Sequence, residues 1–383
     1  MGKRLSARIV GWVGLGVVML VALTVTAFAL ARGNGNTPPK RPLAVALHNA
    51  LTAPAVAGVS AQFTVSQHLL PGSSSFLSSS PLAGATGTVW AGQGRVRVEV
   101  HSQLGTDQLS YDGSTVTLYD AKHHAGYVLP VRSAHHAADA KSSKRPPSLS
   151  DITRMLAQIS PQAAVSGATP DNIAGRPAYT VRVSARHDSG LFGPLALAWD
   201  AAHGTPLHVA LYARGSSTPA LELTVTHISY GALPLRDLTV SLPHGTHTTR
   251  LHLPSKSKVR SAAKQAKATD GIAAARHVGF PLAAPAKLAG MTRELVKSNK
   301  DAGVLIVYGH GLGSIVVIER KAGGAGAGQV PSLPTSVSVN GAKGRELETT
   351  LGTIVTFTRG GVSFTVLGSQ PAATILSAAA SLR

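Results

Sequence analysis

The sequence predicts an α+β fold: an N-terminal membrane helix, a curved antiparallel half-barrel sheet with helices over its concave face, and a smaller α+β domain at the C-terminus. Three observations predict it. Residues 9–31 carry no charge. Residues 94–100, GRVRVEV, alternate aliphatic and charged side chains, and this pattern recurs along the chain. The stretch SLSDITRMLAQIS sets Ile152, Met155, Leu156 and Ile159 at helical spacing. Period two means a strand with one dry and one wet face, and period 3.6 means a helix with one apolar stripe. Strands with one apolar face must curl around something, and helices lying over the mouth of a half-barrel satisfy that need.

The N-terminus comes first. Lys3, Arg4 and Arg8 precede the uncharged run. At about 1.5 Å per residue, such a run spans a hydrocarbon core of about 30 Å. Basic residues before it keep that end in the cytoplasm. Ala27-Phe28-Ala29 and Ala29-Leu30-Ala31 offer small-residue cleavage sites. The run exceeds a usual signal core, which favours an uncleaved anchor over a cleaved signal that would release the protein. In either case residues from 32 onward are expected to lie outside the cytoplasm. Residues 1–35 are therefore read as a signal anchor or signal peptide, and RGNGNTPPKR as a spacer.

Residues 42–250 are read as the half-barrel. PLAVALHNALTA suggests a short helix. In VAGVSAQFTVSQHLL, Phe63 and Val65 stand among small polar residues, and a Ser-rich loop follows. GTVWAGQGRVRVEVHSQ reads as a hairpin turning at Gly92-Gln93-Gly94, with Val96, Val98 and Val100 on the dry face and Arg95, Arg97 and Glu99 on the wet one. DQLSYDGSTVTLYD is a second hairpin, turning at Asp112-Gly113, and it offers Leu109, Val116 and Leu118. Residues 132–148 form a polar, basic loop. Ser148 or Ser150 then caps the helix, and Pro161 ends it. Sheet resumes. Tyr179, Val181 and Val183 share a face, as do Leu195, Leu197 and Trp199, then Val209 and Leu211 with Leu207, then Leu223 and Val225 with Leu221. Ala202-His203-Gly204 marks another hairpin turn.

Residues 251–276 read as a basic linker, with Lys256, Lys258, Arg260, Lys264 and Lys267 ahead of the first acid, Asp270. Residues 277–383 form the smaller unit. GVLIVYGHGLGSIVVIERKA is a strand pair around a Gly-rich turn. Three or so further strands follow, one hairpin turning at Gly360-Gly361, and QPAATILSAAASLR closes the chain as a helix.

Composition bounds the chemistry. Cysteine is absent, which excludes thiolate metal sites, thiol catalysis and lipidation at cysteine. The chain has 16 His, but His123-His124, His135-His136 and the group His244, His247 and His252 fall in loop-like segments that read as solvated. GHGLGS lacks the glycine spacing and the following helix of a phosphate loop, so it reads as a hairpin turn. With 17 Asp plus Glu, no paired carboxylates and no nucleophile motif stand out, so no enzyme, catalytic residue, metal or cofactor is expected. The net charge of +19 is scattered and lacks interleaved aromatics for base stacking. No nucleic acid is expected; a basic surface facing an anionic bilayer or wall polymer fits, as does a merely solvated one.

The order VAGVSAQFTV, TVWAGQGRVRVEV, QLSYDGSTVTLYD, SLSDITRMLAQI and GRPAYTVRVSAR resembles the lipoprotein-carrier (LolA-like) superfamily, in its exported actinobacterial form. The segment from VGFPLAAPAKLAGM onward resembles the small exported domain of anti-sigma regulatory proteins. The pairing of the two is similar to proteins of the RseB/MucB type. That resemblance implies a concave groove holding a lipid or the acyl chains of a lipoprotein, lined by the eighteen dry-face residues from Phe63 to Val225: Phe63, Val65, Val96, Val98, Val100, Leu109, Val116, Leu118, Tyr179, Val181, Val183, Leu195, Leu197, Trp199, Val209, Leu211, Leu223 and Val225. The alternative it implies is an extracytoplasmic regulatory or sensor protein that binds a membrane partner, of anti-sigma type or another.

Overall fold

The computed structural model describes residues 37–70, 84–103, 105–131, 146–251, 271–272, 278–299, 303–323 and 333–382. The expected membrane run, the loop over 132–145 and most of the linker over 251–276 lie outside the described residues. Among the described residues no helix is long and apolar enough to cross a membrane.

The chain enters through α1 (Leu43–Thr52). A meander of six strands follows: β1 (Gly58–Gln67), β2 (Thr86–Gly92), β3 (Arg95–Ser102), β4 (Gly105–Tyr111), β5 (Thr115–Asp120) and β6 (Ala125–Pro130). Then come α2 (Leu149–Ile159), β7 (Ala163–Val165), β8 (Thr169–Ile173), β9 (Arg176–Ala185), β10 (Phe192–Asp200), β11 (Pro206–Ala213), β12 (Pro219–Tyr230) and β13 (His247–Arg250). These thirteen strands make one sheet in the order β13-β6-β5-β4-β3-β2-β1-β12-β11-β10-β9-β7, with β8 also on β9. β12 closes the far side of β1, joining the two meanders. Every pairing in this sheet is antiparallel except β13 with β6, which is parallel. The turns fall where Gly and Asp place them. Gln93 and Gly94 both take positive φ, the requirement of a tight hairpin turn. At the next turn the Asp112 carboxylate accepts the Ser114 and Thr115 N–H groups.

The second sheet has eight strands in the order β14-β15-β16-β17-β21-β20-β19-β18. They are β14 (Lys287–Leu288), β15 (Met291–Asn299), β16 (Gly303–Tyr308), β17 (Ile315–Lys321), β18 (Thr335–Val339), β19 (Ala342–Thr349), β20 (Gly352–Arg359) and β21 (Val362–Gly368). α3 (Ala372–Ser381) buries Ile375, Ala378 and Ala379 against this sheet. GHGLGS is the β16–β17 turn, and it touches the first sheet. Gly313 N–H donates to Asp188 O at 2.5 Å, and Leu191 N–H donates to Ser369 O at 2.9 Å. A second contact runs from Thr350 N–H to Leu69 O at 2.8 Å.

The protein is mostly β, which corrects the α+β reading. Among the described residues three α-helices stand against twenty-one strands. Gly-closed hairpins let most strands pair with the next, so few helical connections are required. β7 and β8 are too short for alternation to register and β6 opens on Ala-Gly, yet all three extend the sheet. The placement of the helices is corrected too. Of the two helices flanking the first sheet, only α1 packs on its apolar face. α2 leans on α1 and buries Ile152 alone, leaving Met155 and Ile159 exposed.

Candidate functional site: the apolar face and the cleft at its rim

Residues directly opposite in an antiparallel pair share a face. Val98 stands between Val89 and Leu109, and Leu109 faces Leu118. Val96 faces Tyr111, which faces Val116. Phe63 faces Gly87, which faces Val100, and on its other side Phe63 faces Val225. Val65 faces Leu223, followed across the sheet by Val209, Leu197 and Val181. Leu211 faces Leu195, which faces Val183, and Trp199 faces Tyr179. With the period-two alternation along each strand, all eighteen residues lie on one face of one sheet. On the other face Arg97 pairs with Glu99 and lies 5.0 Å over the Trp90 ring, while Ala196, Ala210 and Tyr212 form a small buried cluster of their own.

A bulge between Gln62 and Phe63 adjusts the register. It turns Ile228 to the same side as Val225, although they are three positions apart. Strict alternation would have put His227 there, so the sequence reading missed Ile228.

Cover over this face is uneven. Phe63, Val65, Val98, Val100, Leu118 and Val225 are buried in a core that also takes Ile173 and Ala174 from the β8–β9 hairpin. Tyr179, Val181 and Trp199 are buried under Ala46 and Ala50 of α1. The small alanines let the helix backbone approach the aromatic rings. Trp199 Nε1 is buried there without a hydrogen-bond partner among the described residues. The remaining nine, Val96, Leu109, Val116, Val183, Leu195, Leu197, Val209, Leu211 and Leu223, are half-buried. One cross-strand row, Val165, Val183, Leu195, Leu211 and Leu221, runs unbroken over five strands. At about 4.8 Å per strand it spans about 19 Å. Val183, Leu195, Leu211 and Leu221 join none of the buried cores.

At the rim, where β9 begins and β10 ends, lies a cleft of about 320 Å³. Its walls are Pro38, Pro39, Arg41, Asn49, Arg176, Pro177, Tyr179, Asp200, Ala201 and Ala202. Asp200 is buried at its base. Its Oδ1 accepts the Ala202 and His203 N–H groups at 2.8 and 3.0 Å. Its Oδ2 accepts Arg176 Nε at 3.1 Å and the Tyr230 hydroxyl at 2.8 Å. His203 stacks on Tyr230 with centroids 3.9 Å apart, and the Arg176 guanidinium lies 4.8 Å from the centroid of the same ring. Burial pushes the Asp200 carboxyl up, but donors from His203, Tyr230 and Ala202 outweigh it and hold the group well below the usual carboxylate range. Burial, then the neighbouring Asp200 charge, push the Tyr230 phenol well above its usual value. In the sequence His203 marks only a hairpin turn, and nothing singles out Asp200. Arg176 and Tyr230 lie 24 and 30 positions from Asp200, and only strand register brings the four together.

No family model matches the chain, and neither does any curated protein. Among solved structures it is similar to MucB in complex with MucA(peri), at 15% identity, over 85% of this chain and 93% of that one, with a TM-score of 0.40. It is similar to the Pseudomonas aeruginosa MucA/MucB complex at 16% identity, over 89% and 96% of the two chains, with a TM-score of 0.40. It is also similar to an uncharacterized conserved protein from Thermus thermophilus, at 12% identity, over 51% and 91%, with a TM-score of 0.32.

Proposed function

We propose that the chain is an extracytoplasmic binding protein, held at the outer face of a membrane by its N-terminal apolar run, that lays the acyl chain of a lipid or lipoprotein along the concave face. The observation that carries this reading is the half-buried row Val165, Val183, Leu195, Leu211 and Leu221, which is aliphatic throughout and, apart from Val165, outside the packed cores. A row of this kind needs no catalytic group. Covering ten methylenes contributes about 8 kcal/mol before the cost of ordering the chain. Solvent extraction of the purified full-length chain followed by mass spectrometry tests it. An acyl species is expected from the wild type and is expected to disappear in Leu211→Glu, whose position is half open to solvent and so tolerates the charge. A wild type that yields no acyl species and takes up no fluorescent fatty acid would overturn the reading.

One observation favours a second reading, a protein partner. Met155 and Ile159 of α2, one turn apart, are exposed, as is Leu149 at the start of the helix. A stoichiometric membrane protein that co-purifies with the wild type and is lost in Met155→Lys, with lipid absent, would support regulation over lipid holding.

A further inference from the structure

We propose that the rim cleft is an anion site, which takes the acidic head of the amphiphile whose tail lies on the concave face; the tail rests on the acyl-chain reading above, the head on the cleft alone. The cleft presents two guanidinium groups, Arg41 and Arg176, and one carboxylate, Asp200. Asp200 cannot serve as a ligand contact. Both of its oxygens are already filled by the four donors named above, and its charge is directed at Arg176. Its role is to fix Arg176. The Nε edge of that guanidinium is tied to Asp200 and its plane is backed by Tyr230, while the side chain remains about one-quarter exposed. Held in this way, and with one terminal nitrogen 3.3 Å from His203 Nδ1, the guanidinium offers its remaining N–H groups as a preset fork for a carboxylate or a phosphate. Arg41 stands exposed at the mouth, beside the Tyr179 hydroxyl. Once the Arg176–Asp200 pair cancels, the Arg41 charge remains, so an anion neutralises the site.

Size and continuity specify the ligand further. A cleft of about 320 Å³ lies at the small end of ligand sites and admits a head group rather than a long chain. Tyr179 belongs to both regions: it lines the cleft, and it stands opposite Trp199 in the concave face. The cleft and the aliphatic row therefore lie on one face of the sheet, with Tyr179 and Val181 between them under α1.

Calorimetric titration of the full-length chain in phosphatidylcholine nanodiscs, with empty discs as reference, tests this. The probes are octyl phosphate, octanol and inorganic phosphate. Octyl phosphate is expected to bind about ten-fold tighter than octanol, the scale of one charge-assisted contact. Arg41→Gln, at an exposed position, is expected to remove most of that preference and leave octanol unchanged. Arg176→Lys keeps the charge beside Asp200 but loses the fork, and is expected to weaken octyl phosphate alone. Equal binding of octyl phosphate and octanol, or a preference that survives both substitutions, would overturn the anion site and leave the acyl reading standing. Inorganic phosphate that binds in an Arg41-dependent way while octanol does not would keep the anion site and overturn its lipid source. Binding of none of the three would overturn both.

Discussion

Glu319 is fully buried in the second sheet. Its Oε2 accepts the Ala283 N–H at 2.9 Å, and Oε1 has no partner among the described residues. Burial pushes its carboxyl up to about 7. The folded state therefore holds a proton that the unfolded chain releases near pH 4.5. The stabilisation is full below that pH and is lost as pH rises through about 7, with a change on the order of a few kcal/mol. Thermal unfolding is expected to fall between pH 5 and 8 in the wild type and to flatten in Glu319→Gln; equal slopes in the two proteins would refute this. Asp200 behaves in the opposite sense. Its depressed pKa stabilises the fold above pH 4 and less as pH falls. Asp200→Ala leaves Arg176 without its buried partner and is expected to cost about 3 kcal/mol in urea unfolding. A cost below about 1 kcal/mol would mean that the cluster does not brace the rim.

The elements differ in how far tertiary contacts fix them. α2 carries its own start signal: Ser148 and Asp151 cap each other's backbone N–H groups. With Ile152 as its one buried residue, this helix depends on that cap. Ser148→Ala is expected to remove about 1 kcal/mol of local stability, read as faster amide exchange over α2, with global unfolding unchanged. A fall in the global midpoint would instead make α2 part of the core. The same helix shows why the site was only partly legible in the sequence. Its apolar stripe at Ile152, Met155, Leu156 and Ile159 is plain, and from the stripe alone it belongs over the groove. Periodicity gives a face but no address, and Ala46 and Ala50 of α1, too small to stand out, took the place over Tyr179 and Trp199. The dry faces of the strands were legible because β-branched and aliphatic residues alternate without interruption. The Gln62–Phe63 bulge was not, since no local residue type announces it. The Arg176 cluster was hidden for a third reason, that its members meet only through pairing.

At the scale of the whole molecule, the two sheets meet through backbone atoms. A Cβ on Gly190 would stand 1.9 Å from Ser369 O, and its φ of +58° already favours glycine. Gly190→Ala is expected to part the sheets. Small-angle scattering would show a larger radius of gyration while circular dichroism keeps the strand signal. An unchanged radius would show that the Leu69–Thr350 contact suffices. The closure of the first sheet has a consequence in time. β1 has β2 on one edge soon after it is made, but its other edge waits for β12, which begins at Pro219, some 150 residues after Gln67. At roughly 5–20 residues per second, a ribosome needs on the order of ten seconds to supply it. Through that interval the nascent chain shows a ten-residue strand with one unsatisfied hydrogen-bonding edge, a template for any other extended chain nearby. The newborn protein is thus a natural client for a holding chaperone, and a chain cut short before β12 would leave that edge open for good.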